Sequence, residues 1–374
     1  MSTRVITARS ASEIADAARE GAAAIEGGSL VGFATETVYG IAALATNGDT
    51  MARLRELKNR PQRPFSVHLG NPDDAFRFAR EFTDDARRLI RKAMPGPVTL
   101  LVPTHGQLGD AELAAIPREQ LYDRLVDADV IGLRCPDEPL AAAMLSAVRM
   151  PVVAPSANLA GERSPRTAQD VLASMDGKID LLIDSGPTRY GKDSTIVDLS
   201  GDSWRIVREG VYDERTLRRL MTRMYLFVCT GNTCRSPLAA GIAKSLLARK
   251  LGVAVQDLPD RNIEVLSAGV MAAQGQHASP EAVEAAADYG ADLGSHRSRR
   301  VSLELIHAAD MVFCMTEFHV AQVRQMAPQA SSKVVRLDEA GDIPDPIGGG
   351  LGVYRQTAKR IESALQARFE KGLP

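Results

Sequence analysis

The chain has 374 residues, more than one ordinary domain holds, and 45% of them are hydrophobic, so two domains with their own cores are expected. The formal net charge of −2 argues against a large nucleic-acid surface, and the four cysteines lack the spacing of a secreted disulfide scaffold or a zinc site. The sequence shows no signal peptide and no apolar run of 18 residues. We therefore expect a cytoplasmic protein with no membrane partner and no metal site of its own.

The N-terminal part alternates between helical and strand-like segments. Residues 11–26 are Ala-rich with helical spacing and stop at Gly27 and Gly28. Strands are expected at 30–34, 65–69, 98–102, 130–133, 151–154, 181–183 and 194–199, and further helices at 73–80, 84–92, 138–146 and 168–174. This mixture predicts an α/β domain.

Basic and small polar residues gather on loops at the ends of these strands. They are Lys58, Arg60, Arg134, Ser156, Asn158 and Arg208. A single surface cation is usually only solvated. Several that converge on strand-end loops suit a polyanion such as a nucleotide triphosphate.

Five ordered motifs between about residues 12 and 212 resemble the threonylcarbamoyl-adenylate synthase (YrdC-like) family. They are Thr35-Glu36-Thr37-Val38-Tyr39-Gly40, Lys58-x-Arg60-Pro61, Pro95-Gly96-Pro97-Val98-Thr99, Ser156-x-Asn158 and Asp193-Ser194-Thr195. The resemblance implies an α/β domain that joins L-threonine, bicarbonate and ATP into threonylcarbamoyl-AMP and pyrophosphate. The adenylate would then supply a modified adenosine in tRNA, so the tRNA link is indirect, through a threonylcarbamoyl-transferase complex.

The same resemblance assigns the site residues of this domain. ATP would be bound by Lys58, Arg60, Ser156, Asn158, Ser164 and Arg208, and threonine by Thr37, His68, Arg134 and Ser194. Lys58 and Arg60 would hold the phosphates and act in catalysis, Arg134 would pair with the threonine carboxylate, and Ser194 would also lie beside the nucleotide. Magnesium is expected to arrive with ATP. Catalysis would rest mostly on positioning and charge neutralisation.

Residues 213–223 form a charged, helix-like stretch with no flexible spacer. We place the boundary between the two domains here, which gives an N-terminal domain of residues 1–213 and a C-terminal domain of residues 224–374.

The second domain opens on a strand-like run, 224–228, and a tight loop that leads into a helix-like run, 237–250. The loop reads Cys229-Thr230-Gly231-Asn232-Thr233-Cys234-Arg235-Ser236-Pro237. Such a loop aims backbone N–H groups at one spot and binds an anion, and the same groups favour a thiolate at Cys229. Arg235 adds a planar fork for phosphoryl oxygens. The arrangement predicts covalent phosphoryl transfer with Cys229 as the nucleophile.

This loop and its flanks resemble the low-molecular-weight protein-tyrosine phosphatase family, and the resemblance runs from Met224 to the C-terminus. It implies a doubly wound parallel α/β sheet and a phosphorylated protein as the substrate. It also makes Asp345, in Ile343-Pro344-Asp345-Pro346, the general acid and then the base. The candidate catalytic residues are Cys229, Thr233, Arg235, Ser236 and Asp345.

Thr233 stands where phosphotyrosine-specific members usually carry an aliphatic residue. In this respect the chain resembles the bacterial protein-arginine phosphatase branch, and we favour phosphoarginine over phosphotyrosine. Cys234 either packs under the loop or forms a reversible disulfide with Cys229, and both possibilities stay open.

Two further alternatives remain at this point. The first domain could be an RNA-binding or regulatory module without synthase activity, although the retained Lys58, Arg60, Ser156 and Asn158 argue against it. The second could be an arsenate reductase, but no further cysteine pair is well placed to resolve the intermediate. The leading interpretation is a bifunctional enzyme, a nucleotidyltransferase joined to a phosphatase.

Overall fold

A computed structural model describes residues 2–60, 63–201 and 203–370. The chain divides into two compact units, Met1–Met221 and Thr222–Pro374. The division falls inside the charged stretch 213–223, and the helix that this stretch forms belongs to the first unit.

The first unit combines eleven strands with eight α-helices among its described residues. The strands are β1 (Arg4–Thr7), β2 (Val31–Ala34), β3 (Tyr39–Leu44), β4 (Val67–His68), β5 (Val98–Pro103), β6 (Val126–Asp127), β7 (Val130–Arg134), β8 (Val152–Val153), β9 (Leu181–Asp184), β10 (Thr195–Asp198) and β11 (Arg205–Arg208). The helices are α1 (Ala11–Glu26), α2 (Gly48–Leu57), α3 (Asp84–Ala93), α4 (Ala111–Ala114), α5 (Tyr122–Leu125), α6 (Pro139–Ala147), α7 (Ala168–Met175) and α8 (Glu214–Met221).

These strands form one mixed sheet, in the order β1-β9-β2-β3-β8-β4-β7-β5-β10-β11, with β6 paired to β7. β4 and β7 run parallel and pair His68 with Arg134. β5 runs antiparallel to β7 and parallel to β10, and β11 runs antiparallel to β10. The ends of β4, β7 and β11 and the starts of β5 and β10 therefore meet at one edge of the sheet.

Local signals explain the helix that matches its prediction best. α1 begins after Ser10, whose hydroxyl accepts from the N–H of Glu13 while the Glu13 carboxylate accepts from the N–H of Ser10, and it ends at Gly27. This capping box involves only residues 10–13, so the sequence alone can specify it.

Other predicted elements differ from the structure in length or type. The predicted helix 73–80 is a 3₁₀ helix, Pro72–Arg77, that begins on the Asn71 cap. The strands expected at 65–69 and 151–154 shorten to two residues each, β4 and β8, which are both fully buried. Both strands are held by pairing with distant strands, so their own residues mark their ends poorly.

The second unit contains four strands and five α-helices among its described residues. They are β12 (Arg223–Cys229), α9 (Arg235–Leu251), β13 (Ile263–Gly269), α10 (Pro280–Ala287), α11 (Leu303–Ala308), β14 (Met311–Cys314), α12 (Glu317–Met326), β15 (Val334–Arg336) and α13 (Leu351–Glu370). The strands are all parallel and lie in the order β13-β12-β14-β15.

Alternate residues of β12 face two different hydrophobic cores. Tyr225 and Phe227 pack with residues of α9, α10 and α13. Leu226 and Val228 pack with residues of α11 and α12 on the opposite face. The prediction of a doubly wound parallel sheet is thus confirmed. Cys229 lies at the carboxyl end of β12, the strand between β13 and β14, and this is the topological switch point of the sheet.

Among the described residues, no helix combines the length and the apolar character that a bilayer-spanning helix needs.

Candidate active sites

The first unit contains a cavity of about 610 Å³ at the sheet edge where β4, β7 and β11 end. Its described lining includes eight of the predicted site residues. They are Lys58, Arg60, His68, Arg134, Ser156, Asn158, Ser194 and Arg208. Four of these are cations, whereas the described lining carries one carboxylate, Asp193. The cavity therefore suits a polyanion.

Lys58 caps the C-terminus of α2 and turns its ammonium group to fixed oxygens. Its Nζ donates to the carbonyl oxygens of Ser156 (2.9 Å) and Asn158 (2.7 Å) and to Asn158 Oδ1 (3.0 Å). Burial, and next the charge of Arg60, lowers the pKa of Lys58 to about 8. The ammonium group of Lys58 has already lost most of its water on folding, so an anion that binds it displaces little water from it.

Arg134 lies at the end of β7 and is buried against three side chains of the loop that follows β2. Its Nη2 donates to Thr37 Oγ1 (2.5 Å), Thr35 Oγ1 (3.1 Å) and Glu36 Oε1 (3.2 Å). The Nε of Arg134 is buried with no hydrogen-bond partner. A buried guanidinium N–H without a partner is costly, and a ligand carboxylate in the cavity would satisfy it.

His68 lies beside Arg134 in the cavity wall. Burial, followed by the charge of Arg134, lowers the pKa of His68 to about 3, so the imidazole is neutral at physiological pH. Its Nδ1 lies 3.2 Å from the carbonyl oxygen of Ser66. Because a carbonyl can only accept, Nδ1 carries the proton and Nε2 remains an acceptor for a donor such as an amine.

Ser194 and Arg208 are held together where β10 begins and β11 ends. Arg208 Nη2 donates to the Ser194 carbonyl oxygen (2.8 Å) and to its Oγ (3.1 Å), and Thr99 Oγ1 lies 2.9 Å from the same Oγ. Burial lowers the pKa of Arg208, and the charges of Arg134 and Arg60 act in the same direction. These cations therefore act on one another across the cavity.

Thr37 and Ser164 were predicted site residues but do not line the cavity. Thr37 instead bonds Arg134, as described above, and Ser164 Oγ donates to Asp193 Oδ1 at 2.9 Å. Arg60 does line the cavity, and its guanidinium lies 5.9 Å from the centre of the Phe65 ring. Pro61, the last residue of the Lys58-x-Arg60-Pro61 motif, lies outside the described residues.

In the second unit, the residues between β12 and α9 fold around the sulfur of Cys229. Ser236 Oγ lies 2.9 Å from Sγ, and the N–H of Asn232 donates to Sγ at 3.2 Å. α9 starts after Cys234, which makes no side-chain cap, and in the first turn of the helix the N–H of Ser236 donates to the Cys229 sulfur.

The acidity of Cys229 differs from the expectation. Burial raises the pKa of the Cys229 thiol, while the hydrogen bonds of Ser236 and Asn232 and the charge of Arg235 act to lower it. The thiol is only 2% exposed. The donors around the sulfur are visible in the sequence of the loop, whereas the loss of water on burial, which outweighs their effect on the pKa, is not.

Asn232 braces this loop from a left-handed conformation, with φ of 57°. Its Nδ2 donates to Ser236 Oγ and to Ser267 Oγ, each at 2.9 Å, and its Oδ1 accepts from the N–H of Arg299 at 2.8 Å. His296 Nε2 lies 2.7 Å from the Asn232 carbonyl oxygen. An amide side chain is needed to serve donors and acceptors at once, and Asn tolerates this φ better than most residues.

Arg235 and Asp345 meet beside the loop. Arg235 Nη2 forms an ion pair with Asp345 Oδ2, and its Nη1 donates to the Ile343 carbonyl oxygen at 3.3 Å. The Arg235 side chain is 6% exposed and that of Asp345 is 41% exposed. The structure therefore brings the predicted phosphoryl clamp and general acid together, with the acid on the solvent side.

Thr233 and Cys234 occupy the far side of the loop. Thr233 is partly exposed, and its Oγ1 lies 3.6 Å from Cys234 Sγ. Cys234 Sγ lies 3.3 Å from Tyr354 Oη, and both Cys229 and Cys234 are free thiols. The Cys229–Cys234 disulfide stays a prediction.

The motifs gave no role to four residues around the two sites. Glu36, Asn232 and Thr230 each contact a predicted site residue, and His319 contacts Thr230. Glu36 lies inside a quoted motif, and an acid in the apolar run around it could have pointed to a buried partner. His319 follows β14, the parallel neighbour of β12. Because parallel strands end at the same side of a sheet, its position near Cys229, the last residue of β12, could have been inferred.

Comparisons with known proteins match each unit separately. The family model Sua5_yciO_yrdC, described as telomere recombination, matches residues 23–210, and the model for low molecular weight phosphotyrosine protein phosphatase matches residues 224–371.

Individual relatives follow the same division. A threonylcarbamoyl-AMP synthase of Bacillus subtilis is 27% identical over 77% of this chain and 81% of that protein. A protein-arginine-phosphatase of Bacillus subtilis is 37% identical over 38% of this chain and 91% of that protein. A solved structure, P. abyssi Sua5 complexed with L-threonine, is 21% identical with a TM-score of 0.50 and covers 97% of this chain and 98% of its own, which is a likeness of fold.

Proposed function

Because the chain belongs to the Sua5/YciO/YrdC family through its first unit and to the low-molecular-weight phosphatase family through its second, we propose that it is a bifunctional enzyme. The first unit makes L-threonylcarbamoyl-AMP from L-threonine, bicarbonate and ATP. The second unit removes phosphate from phosphoarginine in proteins through Cys229.

The synthase proposal rests above all on the cavity of four cations in which Arg134 keeps a buried Nε without a partner. Lys58, Arg60 and Arg208 bind the triphosphate, and Arg134 pairs with the threonine carboxylate. A carbamate oxygen of carboxylated threonine attacks the α-phosphorus, the bond from this phosphorus to the pyrophosphate oxygen breaks, and pyrophosphate leaves. The fixed cations neutralise the charge that moves onto pyrophosphate.

Magnesium enters with ATP in this proposal. It commonly binds substrate phosphates together with one or two carboxylates. Asp193 is a carboxylate in the described lining, and its Oδ2 lies 3.9 Å from Arg208 Nη1, so it is close to where the phosphates are placed. The donor set fits a metal held mainly by ATP. The adenylate then passes to a threonylcarbamoyl-transferase complex that acts on tRNA.

Threonine-dependent release of pyrophosphate from ATP tests this activity. We expect Lys58→Ala to abolish the release and Lys178→Ala, an exposed lysine outside the cavity, to leave it intact. ATP binding without threonine-dependent pyrophosphate release would leave the regulatory-module alternative in its place.

The phosphatase proposal rests on the Cys229 sulfur at the centre of the loop with Arg235 and Asp345 beside it. The thiolate of Cys229 attacks phosphorus, the phosphorus–nitrogen bond breaks, and the leaving guanidine nitrogen takes a proton from Asp345. Asp345 then takes a proton from the water that attacks the phosphocysteine, the sulfur–phosphorus bond breaks, and inorganic phosphate leaves with Cys229 as the thiolate. Ser236 stabilises the sulfur as a hydrogen-bond donor when the thiolate is regenerated.

Thr233 is the residue on which the choice of phosphoarginine depends. Its hydroxyl is partly exposed on the loop, where it can accept from a guanidinium N–H or orient water. Turnover of phosphoarginine and phosphotyrosine is compared side by side, with Cys229→Ser as the blank. A preference for phosphoarginine that Thr233→Ile relaxes supports the proposal, and a preference for phosphotyrosine in the unmodified chain replaces it with a tyrosine phosphatase.

A further inference from the structure

His319 is a buried residue of the second unit that the proposed chemistry does not use. It lies in the first turn of α12 and is 2% exposed. Its Nε2 lies 2.9 Å from Thr230 Oγ1, and its Nδ1 lies 2.7 Å from Thr316 Oγ1, the N-cap of that helix. Both nitrogens of the ring are therefore engaged, and the ring is fixed between the helix start and the loop that follows Cys229.

Thr230 links His319 to Arg235, the residue predicted to bind the phosphoryl oxygens. Arg235 Nη2 donates to Thr230 Oγ1 at 3.4 Å, and the same Nη2 pairs with Asp345. On the remaining nitrogens, Nη1 donates to the Ile343 carbonyl oxygen, and Nε is buried without a partner. The orientation of the Arg235 fork thus depends on three groups, namely Asp345, Thr230 and the Ile343 carbonyl.

Asp345 cannot hold Arg235 throughout the proposed reaction. As a general acid it must be protonated and must turn towards the leaving group, and a neutral carboxyl does not compensate a guanidinium. At that stage Thr230 and the Ile343 carbonyl are the contacts that still fix the fork. A hydroxyl rotates freely unless a second partner orients it, and His319 is the partner that the structure provides.

We infer that His319 is a positioning residue, which through Thr230 holds the guanidinium of Arg235 in the orientation that grips the phosphoryl oxygens while Asp345 transfers its proton. The inference rests on the proposed phosphatase activity of the second unit and adds a residue to it. His319 touches neither the substrate nor the sulfur in this role.

The charge of the ring agrees with this role. Burial, and next the charge of Arg235, lowers the pKa of His319 to about 4, although Asp345 and Asp342 act to raise it. The ring is therefore neutral at assay pH and adds no repulsion to Arg235. In a neutral imidazole one nitrogen donates and the other accepts, so either tautomer can bond both threonine hydroxyls.

Two substitutions of His319 in the full chain separate positioning from general stability. His319→Asn keeps a polar group near the place of Nδ1 and reaches Thr316 only, whereas His319→Gln keeps one near Nε2 and reaches Thr230. Phosphate affinity is measured as protection of Cys229 from alkylation by iodoacetamide, which needs no turnover and reports this loop alone. Hydrolysis of phosphoarginine gives kcat and KM, and thermal unfolding monitors folding.

We expect His319→Asn to weaken phosphate binding and to lower kcat/KM by about tenfold, the effect of losing one hydrogen bond that orients a charged group. His319→Gln should recover most of both. Thr230→Val should match His319→Asn, and the double variant should be no worse than either, since the two residues act in one chain of contacts.

Unchanged phosphate protection and turnover in His319→Asn would overturn the inference, as would equal losses in His319→Asn and His319→Gln. A chain that binds phosphate at Cys229 but hydrolyses neither phosphoarginine nor phosphotyrosine would instead overturn the proposed function. The protection measurements on the two His319 variants would still decide whether His319 orients Arg235.

Discussion

Folding removes most of the water around Lys58 and Arg134. Fixed oxygens of the protein replace that water as hydrogen-bond acceptors. Lys58 rests on two carbonyl oxygens and an amide oxygen, and Arg134 on two hydroxyls and the Glu36 carboxylate. The oxygens around Lys58 are neutral and hold its ammonium group without cancelling its charge, whereas the Glu36 carboxylate compensates the charge of Arg134. At the scale of single residues, the first site therefore keeps both cations oriented, and Lys58 keeps its full charge for an anion.

The lowered pKa of Lys58 gives a pH dependence with a definite sign. The charged ammonium binds phosphate, and it is lost as the pH rises through about 8. We expect kcat/KM for ATP, at saturating threonine and bicarbonate, to be level below that pH and to fall above it, because this parameter reports the free enzyme. Pyrophosphate release between pH 6.5 and 9.5 measures it.

Lys58→Arg provides the control for this profile, because arginine stays charged throughout the range. Its activity, whatever the level, should show no fall near pH 8. A constant kcat/KM up to pH 9.5 in the unmodified chain would contradict the assignment of Lys58 to the phosphates.

Glu36→Gln tests the support of Arg134. Glu36 is buried, with Oε1 bonded to Arg134 and Oε2 to the N–H of Asp137 at 3.1 Å. We expect a KM for threonine raised by about tenfold with the KM for ATP little changed, and a free energy of unfolding lowered by about 3 kcal/mol, because Arg134 then lacks its compensating charge. Steady-state kinetics and denaturant unfolding measure the two effects.

Asp137→Asn is the matched control for Glu36→Gln. Asp137 pairs with Arg189 in an exposed ion pair, with side chains 50% and 54% exposed, so its loss should cost less than about 1 kcal/mol and leave both KM values unchanged. Equal effects of the two substitutions would show that Glu36 has no special role.

At the scale of elements, the loop after β12 takes its shape from the end of the neighbouring strand. β13 ends at Gly269, which is paired with Cys229, and the N–H groups of Val270 and Met271 bond the carbonyl oxygens of Cys229 and Thr230. A Cβ at Gly269 would lie 2.4 Å from the Thr230 carbonyl oxygen and 2.9 Å from the Asn232 nitrogen. The absence of a side chain at Gly269 is thus a condition for the observed conformation of the loop after β12.

Gly269→Ala should therefore displace residues 230–232 and lower phosphatase kcat/KM by about 100-fold, the cost of misplacing catalytic groups by a fraction of an ångström to an ångström. Gly352→Ala is the same substitution in α13, where an added Cβ has no neighbour within 4 Å, and it should leave the rate unchanged. Hydrolysis assays on both variants, with thermal unfolding as a check, make the comparison. Full activity in Gly269→Ala would contradict the packing argument.

At the scale of the whole molecule, the chain consists of two compact units, each with its own hydrophobic clusters and its own site. The described residues that line the cavity belong to the first unit, and those around Cys229 belong to the second. Each set of groups can therefore do its chemistry without a residue from the other set.

Crossed inactivation in the full chain tests this independence. Cys229→Ser should abolish phosphatase activity and leave threonine-dependent pyrophosphate release within about twofold, and Lys58→Ala should do the reverse, because additivity is expected for sites that share no partners. Both assays are run on both variants. Loss of the two activities together in either variant would reveal a dependence that the residues of each site do not explain.

The sequence by itself determined the elements and motifs whose signals are local. The helix α1 with its cap and glycine stop, the run from β12 through the Cys229 loop into α9, and the candidate residues Lys58 and Arg235 could all be read from neighbouring residues. Backbone propensity, capping and turn chemistry act over a few positions, so they are visible in the chain itself. The α/β class of the first domain followed from the same signals, whereas the doubly wound sheet of the second was implied by its family resemblance.

Only the tertiary structure decided how buried groups are paired and how burial changes their chemistry. Glu36 meets Arg134 across 98 positions of the chain, and His319 meets Thr230 across 89. The raised pKa of the Cys229 thiol and the exclusion of Ser164 from the cavity lining were equally invisible in the motifs. Desolvation and partner choice depend on which strand ends share an edge of the sheet, and that is fixed by packing over the whole unit rather than by any local pattern.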